Sequence, residues 1–196
     1  MSNTLDFLNF RNNVITLFYS LTVSILCAAG LYYESISYMP YITFLSILFL
    51  AFTTLQSMHS LDNIFIIHHL ATLYIFLYVY FSNDLTLILL SYKFYLSHIT
   101  GIFSSIKYIC KSDVLKNTNF CNNKQIQIIN ENLFFVSFAI ARVFISVPQS
   151  TIYIFNNFGK TNKLFVICIF ILNILQLYWF SRIVEKTYNQ ILREQS

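Results

Sequence analysis

The sequence predicts an all-α integral membrane protein: six transmembrane helices bundled around a polar interior cavity, with both termini in the cytosol. Three observations predict it. First, 57% of the 196 residues are hydrophobic and 10% are charged, whereas a soluble globular chain carries about 25% charged residues. Second, six apolar runs each approach the roughly 20 residues that a helix needs to cross the hydrocarbon of a bilayer. Third, the basic residues outside those runs gather on one side of the path this implies, the usual record of membrane orientation.

The first run, about 14–33, is too long for the apolar core of a cleavable leader and lacks a convincing cleavage site after it. It reads as a first spanning helix that also targets the chain. The second run, about 40–58, opens at Pro40, and the third covers about 63–81. The fourth covers about 84–106, the fifth about 132–155 and the sixth about 163–184. The links are short except for 107–131, which is polar and basic. The expected organisation is a cytosolic segment 1–13, a membrane domain 14–190 that contains the 107–131 loop, and a short cytosolic tail 191–196. There is no internal repeat and no separate soluble domain.

Six crossings put the N-terminus, the 59–62 link, the 107–131 loop and the C-terminus on one side. That side holds Arg11, Lys107, Lys111, Lys116, Lys124, Arg182, Lys186 and Arg193, against Lys160 and Lys163 on the other. Because these cations flank apolar spans, the net charge of +4 reports orientation, and no nucleic-acid partner is expected. The four cysteines, Cys27, Cys110, Cys121 and Cys168, match no metal-binding spacing. Cys27 and Cys168 lie in apolar runs and read as buried; Cys110 and Cys121 lie in the basic loop and read as free thiols. Tyr32, Tyr33, Tyr38, Tyr41, Tyr178 and Trp179, at span ends, read as interface anchors.

The polar residues inside the spans are the candidate site. His68 and His69 are adjacent in the third run, and intramembrane ionisable residues are functional candidates because hydrocarbon tolerates them poorly. At 1.5 Å of rise per residue, they lie about 8 Å inside the cytosolic end of their helix. His98, in the antiparallel fourth run, lies at a similar depth. Thr72 is one turn from both members of the pair and is placed to orient either ring. The two rings point about 100° apart, so one faces the interior and the other supports it. That divergence also argues against a His68–His69 chelate, and no metal is expected. His98 alone has a plainer reading, interior hydrogen bonding to Ser97, Thr100 or a tyrosine. His59 reads as an interface residue beside Asp62.

Lys93 and Arg142 sit near the midplane with no Asp or Glu at that depth. Such cations need carbonyls, water, polar side chains or an anionic ligand such as an acyl carboxylate or phosphate. Tyr92, Gln149, Asn173 and Gln176 are at hand to supply hydrogen bonds. The plainer alternative is that Lys93 snorkels and Arg142 bonds to carbonyls freed near Pro148.

Three patches, in order, resemble the TLC-domain family of multi-pass membrane proteins, in particular its small transmembrane-protein-56-like members. The first is Phe65-Ile-Ile-His68-His69-Leu-Ala71-Thr72-Leu-Tyr74, similar to a double-histidine helix of that branch. The second is Phe134-Phe-Val-Ser-Phe-Ala-Ile-Ala-Arg142 with Pro148 following. The third is Leu177-Tyr178-Trp179-Phe180-Ser-Arg182-Ile183, similar to the family's closing helix. The chain departs from the family pattern at three places, one of them the His-Asp pair of the acyl-transferring ceramide synthases, which is missing here. The second helix lacks an Asp, and Ser97 stands where an acidic residue follows the basic position matched by Lys93.

The resemblance implies a TLC-type bundle in the endoplasmic reticulum or a connected endomembrane. It implies binding of a membrane lipid or fatty-acyl group and an influence on lipid homeostasis, with no resident cofactor. The site would draw on His68, His69, Thr72, Lys93, Ser97, His98 and Arg142. A second reading is an acyltransferase that uses acyl-CoA as substrate. There His68 or His69 is the base for a lipid amine or hydroxyl, and Lys93 or Arg142 stabilises the oxyanion. A third is a membrane scaffold or export adaptor that acts through the basic loop and the C-terminal residues. The oligomeric state is left open.

Overall fold

A computed structural model describes residues 2–60, 63–82, 84–115 and 117–195, with side chains at 9–54, 63–82, 84–115 and 117–189. Among the described residues, six helices are long and apolar enough to cross a membrane. They are α1 (Ser2–Tyr32), α2 (Met39–Ser60), α3 (Asn63–Ser82), α4 (Leu85–Lys111), α5 (Lys124–Asn156) and α6 (Lys163–Gln195). The helices start where side chains satisfy their free N–H groups. The amide of Thr86 donates to Asp84 Oδ1 at 2.8 Å to open α4, and that of Gln125 donates to Asn123 Oδ1 at 2.9 Å to open α5. The amide of Leu164 does the same to Asn162 Oδ1 at 2.8 Å before α6. Pro40 is tolerated because it sits in the first turn of α2, where its missing N–H has no intrahelical acceptor. Gly159, at φ +88°, makes the turn between α5 and α6.

The helices close a ring in the order α1, α2, α3, α6, α5, α4, with α4 returning to α1. The final helix is therefore inserted between the third and the fifth. Small residues let α1 and α4 approach closely. A Cβ on Gly30 would come within 2.5 Å of the Tyr92 ring, and one on Gly101 would strike Ser20 Oγ. Val23, Cys27, Ile42 and Tyr92 are fully buried in the resulting core. Polarity is partly inverted relative to a soluble protein. Phe18, Phe44, Phe144, Phe155 and Ile174 are exposed, while Ser20, Ser46, Thr100, Ser150, Asn173 and Gln176 are buried. An apolar exterior around a partly polar interior is what a bilayer solvent selects.

Four helix ends differ from expectation, the first being α1, which begins at Ser2 rather than near residue 14. α4 continues to Lys111, α5 begins at Lys124, and α6 runs on to Gln195, so the connection between α4 and α5 is 112–123 rather than 107–131. The polar ends stay helical because they pair with each other. Lys107 Nζ lies 2.6 Å from Glu131 Oε1, and Asn130 Nδ2 donates to the Phe103 carbonyl at 2.9 Å. The thiol expectation is also corrected. A short helix, Asn119–Asn122, folds back on the end of α4, and Cys110 and Cys121 form a disulfide with their Cα atoms 4.9 Å apart. The expected placement of His59 beside Asp62 lies outside the described residues.

Candidate site in the helix bundle

α3, α4, α5 and α6 enclose a cavity of about 70 Å³. Its polar end is lined by His68 and Thr72 of α3, Ser97 and His98 of α4, Arg142 of α5, and Asn173 and Gln176 of α6. Its apolar end is lined by residues such as Val79, Leu87, Leu90, Phe165 and Ile169. From His68 to Val79 the slot follows α3 for about 16 Å. The polar end is the one nearer the 112–123 connection.

Two helical irregularities aim the polar groups. α4 tightens into a 3-10 turn at Leu96–His98, which alters the azimuth of the residues beyond it. α5 widens into a π-helical segment at Phe138–Ser146, with Arg142 at its middle. There the Val147 amide reaches the Arg142 carbonyl five residues back, and Ser146 Oγ donates to the Ala141 carbonyl at 2.6 Å. Such segments are frequent at functional sites.

Arg142 is held by neutral partners. Its Nε donates to Thr100 Oγ1 at 3.1 Å, and its guanidinium carbon lies 5.1 Å from the centre of the Phe138 ring. Thr100 in turn donates to the Ser97 carbonyl at 2.7 Å, which ties Arg142 to the 3-10 turn. No carboxylate lines the cavity. His98 Nε2 lies 3.5 Å from the Tyr19 hydroxyl, which is 3.0 Å from Ser46 Oγ. The plain hydrogen-bonding role foreseen for His98 thus has a tyrosine partner, although the ring also lines the cavity.

The histidine pair divides. His68 lines the cavity, and its ring meets the Trp179 ring edge-on at 5.0 Å between centroids. His69 turns to α2, with Nδ1 3.4 Å from Thr54 Oγ1 and 3.5 Å from Thr53 Oγ1. Thr72 orients neither ring. Its hydroxyl donates to the His68 carbonyl at 2.7 Å, the back-bond open to a helical threonine. Lys93 is partly buried but is not among the cavity-lining residues, so it does not join Arg142.

Sequence reasoning missed two cavity features. Tyr95 is buried and lines the cavity, and Trp179, read as an interface anchor, packs on His68 and stacks on Phe65 at 5.6 Å. Three lining residues carry buried polar atoms without a hydrogen-bond partner among the described residues: His68 Nδ1, the Tyr95 hydroxyl and Gln176 Oε1. Each such atom costs about 1–3 kcal/mol unless it is satisfied. The guanidinium, the Tyr95 hydroxyl and a protonated His68 Nδ1 can donate to an anionic or carbonyl group, whereas Gln176 Oε1 can only accept. Two histidines and no acidic or thiol ligand are a poor metal set.

The sequence model of the TLC domain matches residues 9–185 of the chain. No curated protein and no solved structure matches it.

Proposed function

The chain belongs to the TLC-domain family of multi-pass membrane proteins, and from that premise we propose that it binds a lipid or fatty-acyl group inside the bilayer and so influences membrane lipid composition. The observation that carries this reading is the polarity of the slot. A carboxylate, ester or amide oxygen would meet Arg142 and His68, and a hydrocarbon chain would run toward Leu87 and Phe165. The slot volume of about 70 Å³ holds a few waters. Small-molecule pockets run to roughly 300–1,000 Å³, so an acyl chain must part the lining side chains. The natural direction is toward an open crevice of about 700 Å³ between Tyr74, Tyr78, Asp84 and Tyr153, because Leu87 borders both spaces. On this reading the basic residues beside the spans turn the connection between α4 and α5 and both termini to the cytosol, in the endoplasmic reticulum or a connected endomembrane, where the Cys110–Cys121 bond would be a transient, redox-responsive one.

One observation favours an acyltransferase as the second reading: the unpaired Nδ1 of His68. A neutral imidazole there would take the proton of a lipid amine or hydroxyl as it attacks the thioester carbonyl of acyl-CoA. Arg142 would stabilise the oxyanion, and the imidazolium would return the proton to the departing thiolate.

The test is lipid profiling of cells that express the wild type or His68→Ala at matched abundance, followed by native mass spectrometry of the purified proteins. Wild type is expected to change a defined acyl-lipid species and to retain a fatty-acyl ligand, with both reduced at least about tenfold by the substitution. Turnover of added acyl-CoA by wild type alone selects the enzyme. Profiles identical to empty-vector cells, with no retained lipid, would leave the scaffold reading.

A further inference from the structure

A second cavity, which shares no lining residue with the first, opens where α4, α5 and α6 leave the apolar span. It has a volume of about 280 Å³ and combines Lys107 and Lys111 of α4, Glu131 and Phe134 of α5, and Ile183 and Lys186 of α6. Lys107 is committed to Glu131 at 2.6 Å. Among the described residues, neither Lys111 nor Lys186 has a carboxylate partner, since the neighbouring Glu185 is taken by Arg182 at 2.8 Å. Lys107 and Lys111 are four apart and share a helix face, where like charges repel. Lys186 adds a third ammonium from another helix, leaving an excess of two positive charges after Glu131 is counted. The opposite wall, Phe134 and Ile183, is apolar and continues into the span.

We propose that this crevice binds the phosphate-bearing headgroup of an anionic phospholipid, with the phosphate between Lys111 and Lys186 and the glycerol and upper acyl chain against Phe134 and Ile183. Basic pockets between helices at the cytosolic interface recognise such headgroups, and anionic lipids are concentrated in that leaflet. A free phosphate shares the charge but has no use for the apolar wall, so the wall selects the lipid. The inference rests on the cytosolic orientation proposed above but not on the interior slot, because the residues differ and the occupant is recognised by its headgroup rather than its chain end.

The experiment reconstitutes the full chain in nanodiscs of phosphatidylcholine, with or without phosphatidylserine or a phosphorylated phosphatidylinositol, and measures retained lipid by native mass spectrometry. Wild type is expected to enrich the anionic species, with the preference falling as salt is raised. Lys111→Gln/Lys186→Gln should lose about thirtyfold in that preference, at the worth of a basic residue near an anionic surface. Lys111→Arg/Lys186→Arg should keep it. Unchanged Trp179 fluorescence and melting would show that the Gln variant folds, and unchanged fatty-acyl retention would show that the interior slot is intact. Equal retention of phosphatidylcholine, or a Gln variant as selective as wild type, overturns the proposal. Displacement by millimolar inorganic phosphate as effective as displacement by the lipid would assign the site to a free phosphate and overturn the lipid assignment.

Discussion

Arg142 and Lys107 are both basic residues on interior faces of the bundle, and they are satisfied in opposite ways. Lys107, at the rim, has a carboxylate 2.6 Å away and is about a quarter exposed. Arg142, in the body of α5, has a threonine hydroxyl and the face of a phenylalanine. A rim pair in reach of water contributes little, about 0–1 kcal/mol, and serves to hold two helix ends together. A guanidinium deep in a helix costs about 2.5–3.5 kcal/mol to insert, and neutral partners return only part of that. A chain that keeps such a group without an internal counter-charge retains the means to attract one from outside. The comparison separates a cation paired within the fold from one held by neutral groups alone.

The largest effect should come from erasing the interior member. Arg142→Met is expected to leave the fold intact and to raise its stability by about 2 kcal/mol, because it removes a costly buried charge. The same substitution should lower fatty-acyl retention at least tenfold. Thermal unfolding in detergent and native mass spectrometry read the two quantities on one sample. A variant that melts earlier and binds as well as wild type would break the comparison by making Arg142 a brace. Next is Gly101→Val, which overfills the contact with Ser20 and should cost about 1–3 kcal/mol in the same melt. It marks the scale of a purely structural lesion, against which the Arg142 result is judged. The smallest effect belongs to the rim. Lys107→Met and Glu131→Met, singly and together, should show a coupling under about 1 kcal/mol that fades as salt is raised. A coupling several times larger would show that the rim pair is not solvent-screened and would narrow the contrast.

The spans were legible because length and apolar content alone report them. Rise along a helix is fixed, so the levels of His68 and His98 could be compared, and both line the cavity. Azimuth was not legible. α3 is apolar nearly all round, so nothing in its pattern distinguishes the face of His68 from that of His69. The 3-10 turn at Leu96–His98 and the π segment at Phe138–Ser146 carry no Gly or Pro inside them to announce a change of winding, except Gly101 and Pro148 just beyond. Lys93 was grouped with Arg142 by depth, and azimuth then divided them. The helix ends around 107–131 were misread because polar residues that pair across two helices look, in sequence, like those of a loop. The Cys110–Cys121 bond was missed because a spacing of 11 residues does not reveal that the short helix Asn119–Asn122 folds back on the end of α4.

The ring order has a consequence for biosynthesis. Because α6 lies between α3 and α5, one wall of the slot is supplied by the last of the six helices to be made. Without Phe165, Ile169 and Gln176, the face that carries His68 and Arg142 has no wall on the α6 side. The slot therefore exists only once the sixth helix has packed, so its ring order makes the pocket the last feature of the bundle to form.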